Sequence, residues 1–333
     1  MFDAANQNRA QVAEQAVETD NWFDIRNRDA FNRCPPWIQE RQWAEFIAKY
    51  KASERLQFWA HPIQLDVELN GGCNMSCPFC LHGYEQRPNL AMPVRVYKNL
   101  VDQAVDLGAR SLKLNYINEP LMRRDLEELI EYATARGMLN IYFVTNGLLL
   151  TPPRRKRLLG STLTKLFCSI DAVTAETYDR QRTSGRFDRV VGNVEAFIRE
   201  RNEAGYEFPL VLVSFLKNQL NEHEAEAFAE KWVGLADVVS FQKMNEVPDV
   251  ETGLTFHYSD PDMGCKFPFK QIVVDHRGVM LPCCKLTSKD LALGNVASMT
   301  LAEAWSEMEP LRRMHAANEW HEHPVCGHCM RCE

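Results

Sequence analysis

Between residues 61 and 244 the chain alternates six times between a short apolar run and a longer polar or amphipathic stretch, and this limits what it can fold into. The runs lie at 63–69, 111–117, 140–145, 165–171, 209–215 and 238–244. They are near-continuous in apolar residues, as strands covered by helices require. The intervening stretches near 94–107, 124–136, 152–159, 187–204 and 221–235 repeat apolar residues at helical spacing. Parallel strands joined by right-handed helical crossovers curl into a barrel or partial barrel. The fold class expected is α/β, a partial (β/α)6 TIM-type barrel, with functional groups at the C-terminal ends of its strands.

The flanks read differently. Residues 1–60 look like a helical extension: Trp43, Phe46, Ile47 and Tyr50 recur at helical spacing within 36–55, and no strand pattern precedes them. After residue 247, runs at 271–274 and 279–282 flank Asp275-His276-Arg277-Gly278, a hairpin turn. A helix near 301–316 and a cysteine-rich tail follow. The domains expected are therefore 1–60, 61–247 and 248–333, the last with a core too thin to stand without a metal staple.

A net charge of −7 offers no footprint for nucleic acid or an anionic membrane. There is no apolar run of the ~18 residues that a membrane span needs. The polar, acidic start is unlike a signal peptide, so a cytoplasmic protein is expected. Structural disulfides are disfavoured there, and eleven cysteines need another explanation. Cys73, Cys77 and Cys80 form one tight group. Cys265, Cys283, Cys284, Cys326, Cys329 and Cys332 crowd the last fifth, and only Cys34 and Cys168 stand alone. Such clustering points to metal.

The first group, in Gly71-Gly72-Cys73-Asn74-Met75-Ser76-Cys77-Pro78-Phe79-Cys80, directly follows the first expected strand. Three thiolates can reach three corners of an iron–sulfur cube and leave one iron open. A structural zinc site wants four closed ligands, commonly in pairs. The spacing, with Phe79 before the last cysteine, resembles the radical SAM superfamily. The resemblance implies a [4Fe–4S] cluster on Cys73, Cys77 and Cys80 that chelates S-adenosylmethionine. Reductive cleavage then gives a 5′-deoxyadenosyl radical, with a reducing donor such as flavodoxin or ferredoxin as partner. It assigns Glu119, in Asn118-Glu119-Pro120, to the methionyl ammonium, although Asn118 departs from the usual glycine. Thr145, in Phe143-Val144-Thr145-Asn146-Gly147, Ser169 and Asp171, in Cys168-Ser169-Ile170-Asp171, and Arg182 are further cofactor candidates. The plain alternatives are a helix N-terminal carboxylate for Glu119, a turn cap for Thr145 and a surface charge for Arg182. Strand alternation puts Ser169 and Asp171 on one face.

The second group resembles the family's C-terminal twitch extension, a shortened SPASM domain. That resemblance implies an auxiliary [4Fe–4S] cluster on Cys265, Cys283, Cys326 and Cys329, with Cys332 spare or replacing Cys329. A zinc ribbon on the same thiols is the alternative. Members with one auxiliary cluster imply a small sugar- or cyclitol-like substrate, undergoing oxidation or epimerisation. In an epimerisation Cys284 is the candidate hydrogen donor, Cys168 the second and Cys34 the third, although Cys168 also reads as a buried small hydrophobe. The absence of a strand pattern in residues 1–60 tilts the expectation away from the alternative, a peptide maturase. A non-catalytic metal-stapled scaffold is the remaining alternative. Asn115, Tyr116, Gln242 and Lys243, at expected strand ends, are candidate cavity residues.

Overall fold

The structure is a computed structural model that describes residues 23–53, 55–80, 82, 87–183, 186–243, 264–284 and 291–330, without the side chains of 23–26, 243 and 328–330. All six expected barrel strands are present: β2 (Gln64–Val67), β3 (Ser111–Lys113), β4 (Asn140–Thr145), β5 (Lys165–Ser169), β6 (Leu210–Lys217) and β7 (Val238–Lys243). They pair in parallel with their chain neighbours. The crossovers carry helices α2 (Val94–Asp106), α3 (Leu126–Arg136), α4 (Pro152–Leu159), α5 (Ala175–Arg182), α6 (Phe187–Glu203) and α7 (Ala225–Trp232). Local signals set their ends: two prolines open α4, Thr174 caps α5 by accepting from the Thr177 N–H, and Gly137 closes α3 at a left-handed φ of 110°.

Strand alternation divides two environments. Leu65, Val67, Leu112, Ile141, Phe143 and Leu166 face the helices in one apolar cluster. Each such side chain contributes roughly 1.5–3 kcal/mol by leaving water. The opposite face is polar and lines the barrel lumen. Gln64 and Ser111 side chains are joined there (3.1 Å), Asn140 donates to Ser111 (2.8 Å), and Tyr142 donates to Gln64 (3.2 Å).

The expected N-terminal extension is the floor of the barrel. Ala30 and Phe31 pack against Phe167, Leu212 and Val238, while helix α1 (Glu40–Ser53) sets Trp43 and Phe46 against Ile63 and Leu139. Lys165 is sealed beneath, donating to Asn140 Oδ1 (2.7 Å) with its ammonium 5.2 Å from the Phe31 ring and 5.6 Å from that of Trp43. Burial pushes its pKa down to about 7. The reading that no strand precedes this helix is corrected: β1 (Phe23–Arg26) pairs antiparallel with β7. Its alternating Phe-Asp-Ile-Arg is only four residues long and easily passed over.

The other edge of the barrel is extended by the C-terminal region. Short helix α8 (Phe267–Lys270) leads into β8 (Gln271–Val274), which pairs parallel with β2. The expected hairpin then returns as β9 (Val279–Leu281), with β10 (Gly294–Asn295) beyond it. Gly278 takes φ +86° at the turn, where Asp275 Oδ1 accepts the N–H groups of Arg277 and Val279. The single helix expected at 301–316 is two, α9 (Leu301–Glu307) and α10 (Glu309–Ala316), divided where Pro310 starts a new first turn. Helix α11 (Pro324–Met330) follows. Leu301, Ala304, Trp305 and Met308 join the same apolar cluster as Leu65, so this region shares the core of the barrel.

Candidate functional site

The first cysteine loop sits at the C-terminal end of β2. A Cβ on Gly71 would lie 2.3 Å from the Pro88 carbonyl oxygen and 2.6 Å from His276 Nε2, and one on Gly72 would lie 2.3 Å from Asn89 Oδ1. The loop can therefore close against the Pro88 backbone and the β8–β9 turn only with glycine at 71, while at 72 the Asn89 side chain would have to move. Asn70 Nδ2 and the Glu119 N–H both donate to the Gly72 carbonyl (3.0 Å each). Beneath it Glu68, fully buried, accepts both Arg87 Nη atoms (2.9 and 2.5 Å) and the Ile117 N–H (3.1 Å), and lies 2.8 Å from His276 Nδ1. Burial alone would raise the Glu68 pKa, but the His276 and Arg87 hydrogen bonds outweigh it and hold the carboxyl below its ordinary range. This knot ties the cysteine loop, the end of β3 and the hairpin turn together, and no sequence motif announced it.

Cys77 is buried and Cys73 and Cys80 half-buried, behind a wall of Met75, Leu148, Ala172, Tyr178 and Val190. Burial, then the nearby Glu119, pushes the Cys73 thiol up to about 12, and burial pushes Cys77 up to about 11 against the pull of Arg182. A thiolate here needs a cationic partner. Two nitrogens point toward the sulfurs: Asn146 Nδ2 lies 3.9 Å from Cys73 Sγ and Arg182 Nη1 lies 4.0 Å from Cys77 Sγ. Asn74 Nδ2 is buried without a partner among the described residues. No three Cys, His, Asp or Glu side chains among the described residues converge on one ion position. Separate thiols behind an apolar wall, with N–H donors toward sulfur, fit a cluster that takes one thiolate per iron.

Glu119 is 2% exposed and precedes the 3-10 turn Pro120–Met122. Its Oε1 accepts the Leu121 N–H (3.0 Å) and the Thr145 hydroxyl (2.7 Å), and its Oε2 the Asn146 N–H (2.8 Å). Burial nevertheless raises its pKa, and it has no ion-pair partner among the described residues. The pocket thus holds a desolvated carboxylate suited to a ligand ammonium. Thr145 positions that carboxylate. Asn118 faces elsewhere: it donates to Asn70 Oδ1 (2.9 Å) and accepts the Tyr116 N–H (3.1 Å), so it braces the loop.

Arg182 is buried rather than a surface charge. Asp171 accepts from its Nε (2.9 Å) and from its Nη2. Burial would lower the Arg182 pKa, but Asp171 holds it well up. Asp171 does not share a strand face with Ser169: β5 ends at Ser169, and Asp171 adopts φ +64° with Oδ1 on the Leu216 N–H (2.8 Å). Ser169 stays on the inner face beside Ser214 (3.3 Å). Phe79 lies 5.7 Å from the Arg182 guanidinium. Asn146 and Asn74 are functional neighbours of the thiols that the sequence reading lacks, and their signal is their place within 143–147 and 71–80.

Of the second cysteine group, Cys283 follows the end of β9, toward the other end of the lumen. The β8–β9 pairs Val273↔Leu281 and Val274↔Met280, carried on, put Cys283 opposite Gln271, itself level with Gln64 at the start of β2. From Gln64 to Glu68, below the first loop, is four residues, or about 13 Å of strand. Asp66, Lys113 and Tyr142 occupy the levels between. The Cys265 N–H donates to His315 Nδ1 (3.2 Å) and the Cys326 N–H to His323 Nδ1 (3.0 Å). Burial, then His323, pushes the His315 pKa down to about 4, and its Nε2 is buried without a partner among the described residues. Cysteines whose backbones are held on His315 and His323 make a donor set that also suits a cluster. The Cys329 side chain, Cys332 and the Lys243 side chain lie outside the described residues.

Cys284 packs with Tyr116, Val273 and Leu281, and Val273 is level with Asp66 of β2, which places Cys284 on the lumen wall. Cys168 is fully buried in the helix-facing cluster, and Cys34 packs under the floor beside Trp43 and Ile38. As hydrogen donors to the lumen, both are corrected by their positions. Asn115 Oδ1 accepts the Val144 N–H (2.9 Å), a structural bond, while Gln242 pairs with Ser240 (3.5 Å). No described helix is long and apolar enough to cross a membrane.

Comparison with known proteins gives two family matches: the radical SAM superfamily over residues 67–231, and SPASM, an iron–sulfur cluster-binding domain, over residues 265–333. The mycofactocin maturase MftC of Mycobacterium tuberculosis is 31% identical over 172 residues, covering 50% of this chain but only 41% of that protein. The PqqA peptide cyclase of Gluconobacter oxydans is 26% identical over 308 residues, covering 82% of this chain and 84% of the relative. Among solved structures, anSMEcpe with bound AdoMet matches with TM-score 0.59 and 15% identity, covering 81% of this chain and 89% of that one. Streptococcus suis SuiB bound to precursor peptide SuiA matches with TM-score 0.56 and 14% identity, covering 92% and 77%. BtrN in complex with AdoMet and 2-DOIA matches with TM-score 0.55 and 18% identity, covering 80% and 92%. At these identities the structural matches establish the fold alone.

Proposed function

Because the chain belongs to the radical SAM superfamily and ends in a SPASM iron–sulfur domain, we propose that it modifies a peptide whose reacting residue sits in the lumen between the two cysteine groups. The observation that carries the reading is the desolvated, unpaired Glu119 carboxylate beside Cys73, at the opposite end of the lumen from Cys283. When bound, the cluster and S-adenosylmethionine supply an electron and a carbon radical that takes hydrogen from substrate. Glu119 takes the ligand ammonium, aimed by the Thr145 hydroxyl and the Asn146 N–H. Arg182, anchored through Nε and Nη2 on Asp171, keeps Nη1 4.0 Å from Cys77 Sγ, where it would hold an anionic group of the ligand. Ser169 offers a hydroxyl on the inner face, and the wall around Cys77 excludes water.

A peptide substrate is favoured over the small cyclitol-like one first expected. Relatives named as a peptide cyclase and a maturase support it, as does β1, which removes the argument from a strand-free N-terminal region. Cys265, Cys283, Cys326 and Cys329 are the proposed ligands of the auxiliary cluster, and Cys284 is the proposed lumen thiol. The test is anaerobic reconstitution with dithionite, S-adenosylmethionine and a library of synthetic short peptides. A mass change in one peptide together with 5′-deoxyadenosine is expected. Turnover of a sugar or cyclitol panel with every peptide unchanged would overturn the peptide reading.

A further inference from the structure

A groove of about 430 Å³ opens to solvent beside the first cysteine loop. Its lining includes Asn74 and Ser76 of the loop, Leu149, Thr183, Arg186 and Arg189, and no acidic side chain. Ser76, Thr183, Arg186 and Arg189 are exposed, and the Thr183 hydroxyl donates to the Ser76 carbonyl (2.7 Å), pinning the groove to the loop. Arg182, Arg154, Arg155 and Arg201 are each paired with a carboxylate. Arg186 and Arg189 have neither an ion pair nor a side-chain hydrogen bond among the described residues. Two unpaired guanidinium groups on a chain of net charge −7 make a local cationic spot on an anionic protein. Asn74, Met75 and Ser76, which line this spot, are the three residues that join Cys73 to Cys77 in the loop.

The geometry points to this groove as the docking surface of a small acidic one-electron carrier protein of the flavodoxin kind, which reduces the first cluster. The inference rests on the reading that Cys73, Cys77 and Cys80 hold a reducible cluster. In the step the carrier loses one electron and the cluster gains it, with no bond made or broken. A short path matters because tunnelling falls steeply with distance. Paired opposite charges steer the encounter, raising association rates by roughly 10–10³-fold, and are screened beyond about 8 Å at physiological salt.

The test uses the full chain, wild type and the double variant Arg186→Glu/Arg189→Glu, with purified flavodoxin as the probe. Binding of oxidised flavodoxin is measured by calorimetry at low and high salt. 5′-Deoxyadenosine formation is measured with reduced flavodoxin and, separately, with dithionite. The expected result is salt-sensitive wild-type binding, at least about a tenfold loss of carrier affinity and carrier-driven rate in the variant, and an unchanged dithionite-driven rate. Arg186→Lys/Arg189→Lys restores most of the affinity. Equal carrier affinity and rate in the charge-reversed variant would overturn the inference. So would a matching loss with dithionite, which would put the arginines in the cofactor site, or a selective loss of peptide affinity, which would assign the groove to substrate. If the wild type makes no 5′-deoxyadenosine with dithionite, the parent reading fails, while flavodoxin binding still decides on the groove.

Discussion

Glu119→Gln isolates the buried carboxylate with least change in shape. The glutamine carbonyl can still accept from the Thr145 hydroxyl and the Leu121 N–H, but its NH2 then faces the Asn146 N–H, donor against donor. One unsatisfied buried N–H costs about 1–3 kcal/mol. Against that, the ionised carboxylate is itself costly in the empty protein, because burial raises its pKa. Where the folded pKa is raised above an ordinary value near 4.5, stability falls as pH rises through the interval between the two. At neutral pH the variant escapes that cost, so its apo melting temperature should stay near wild type. Ligand binding has no such offset. Removing one partner of a buried, hydrogen-bonded charge pair costs about 3–5 kcal/mol, and at ~3 kcal/mol the affinity falls roughly 100-fold. Calorimetric titration of S-adenosylmethionine into reconstituted wild type and variant measures it. Affinity within threefold of wild type would refute the assignment of Glu119 to the ammonium.

Other parts of the account carry their own tests. Lys165→Met should flatten the pH dependence of stability. The folded pKa near 7 lies below the ordinary 10.5, so wild-type stability rises with pH between them, and an equal gain in unfolding free energy from pH 7 to pH 9 for wild type and variant would contradict it. Glu68→Gln breaks a buried pair and should cost about 3–5 kcal/mol at neutral pH, a difference that shrinks as pH falls through the lowered folded pKa of Glu68; a penalty independent of pH would count against the knot. Gly71→Ala must displace a backbone carbonyl 2.3 Å from the new Cβ, so iron bound at the first loop should drop while far-ultraviolet dichroism stays native. Cys265→Ala should remove about four irons and abolish peptide modification while leaving 5′-deoxyadenosine release; full iron content would exclude Cys265 as a ligand.

The barrel was legible because its strands carry long, regular signals: 140–145 was read to the residue, and Asp275–Gly278 was recognised as a turn from its glycine. Two short elements were not. β1 and α5 are four and eight residues long, and α5 follows β5 with little apolar periodicity to mark it. The first cysteine loop and Glu119 were legible because each follows the C-terminal end of a strand, β2 and β3. Asp171 was misplaced because alternation assumes that the strand continues, and its left-handed φ breaks the pattern two residues after Ser169. The Glu68–Arg87–His276 knot joins residues 19 and 208 positions apart, a separation at which local patterns carry no information.

The central claim, that Cys73, Cys77 and Cys80 carry the radical-generating centre, is tested most directly by 5′-deoxyadenosine release from S-adenosylmethionine under dithionite, comparing reconstituted wild type with Cys77→Ala. Release by the wild type and none by the variant is the predicted result. No release by fully reconstituted wild type, or equal release by both, would contradict it.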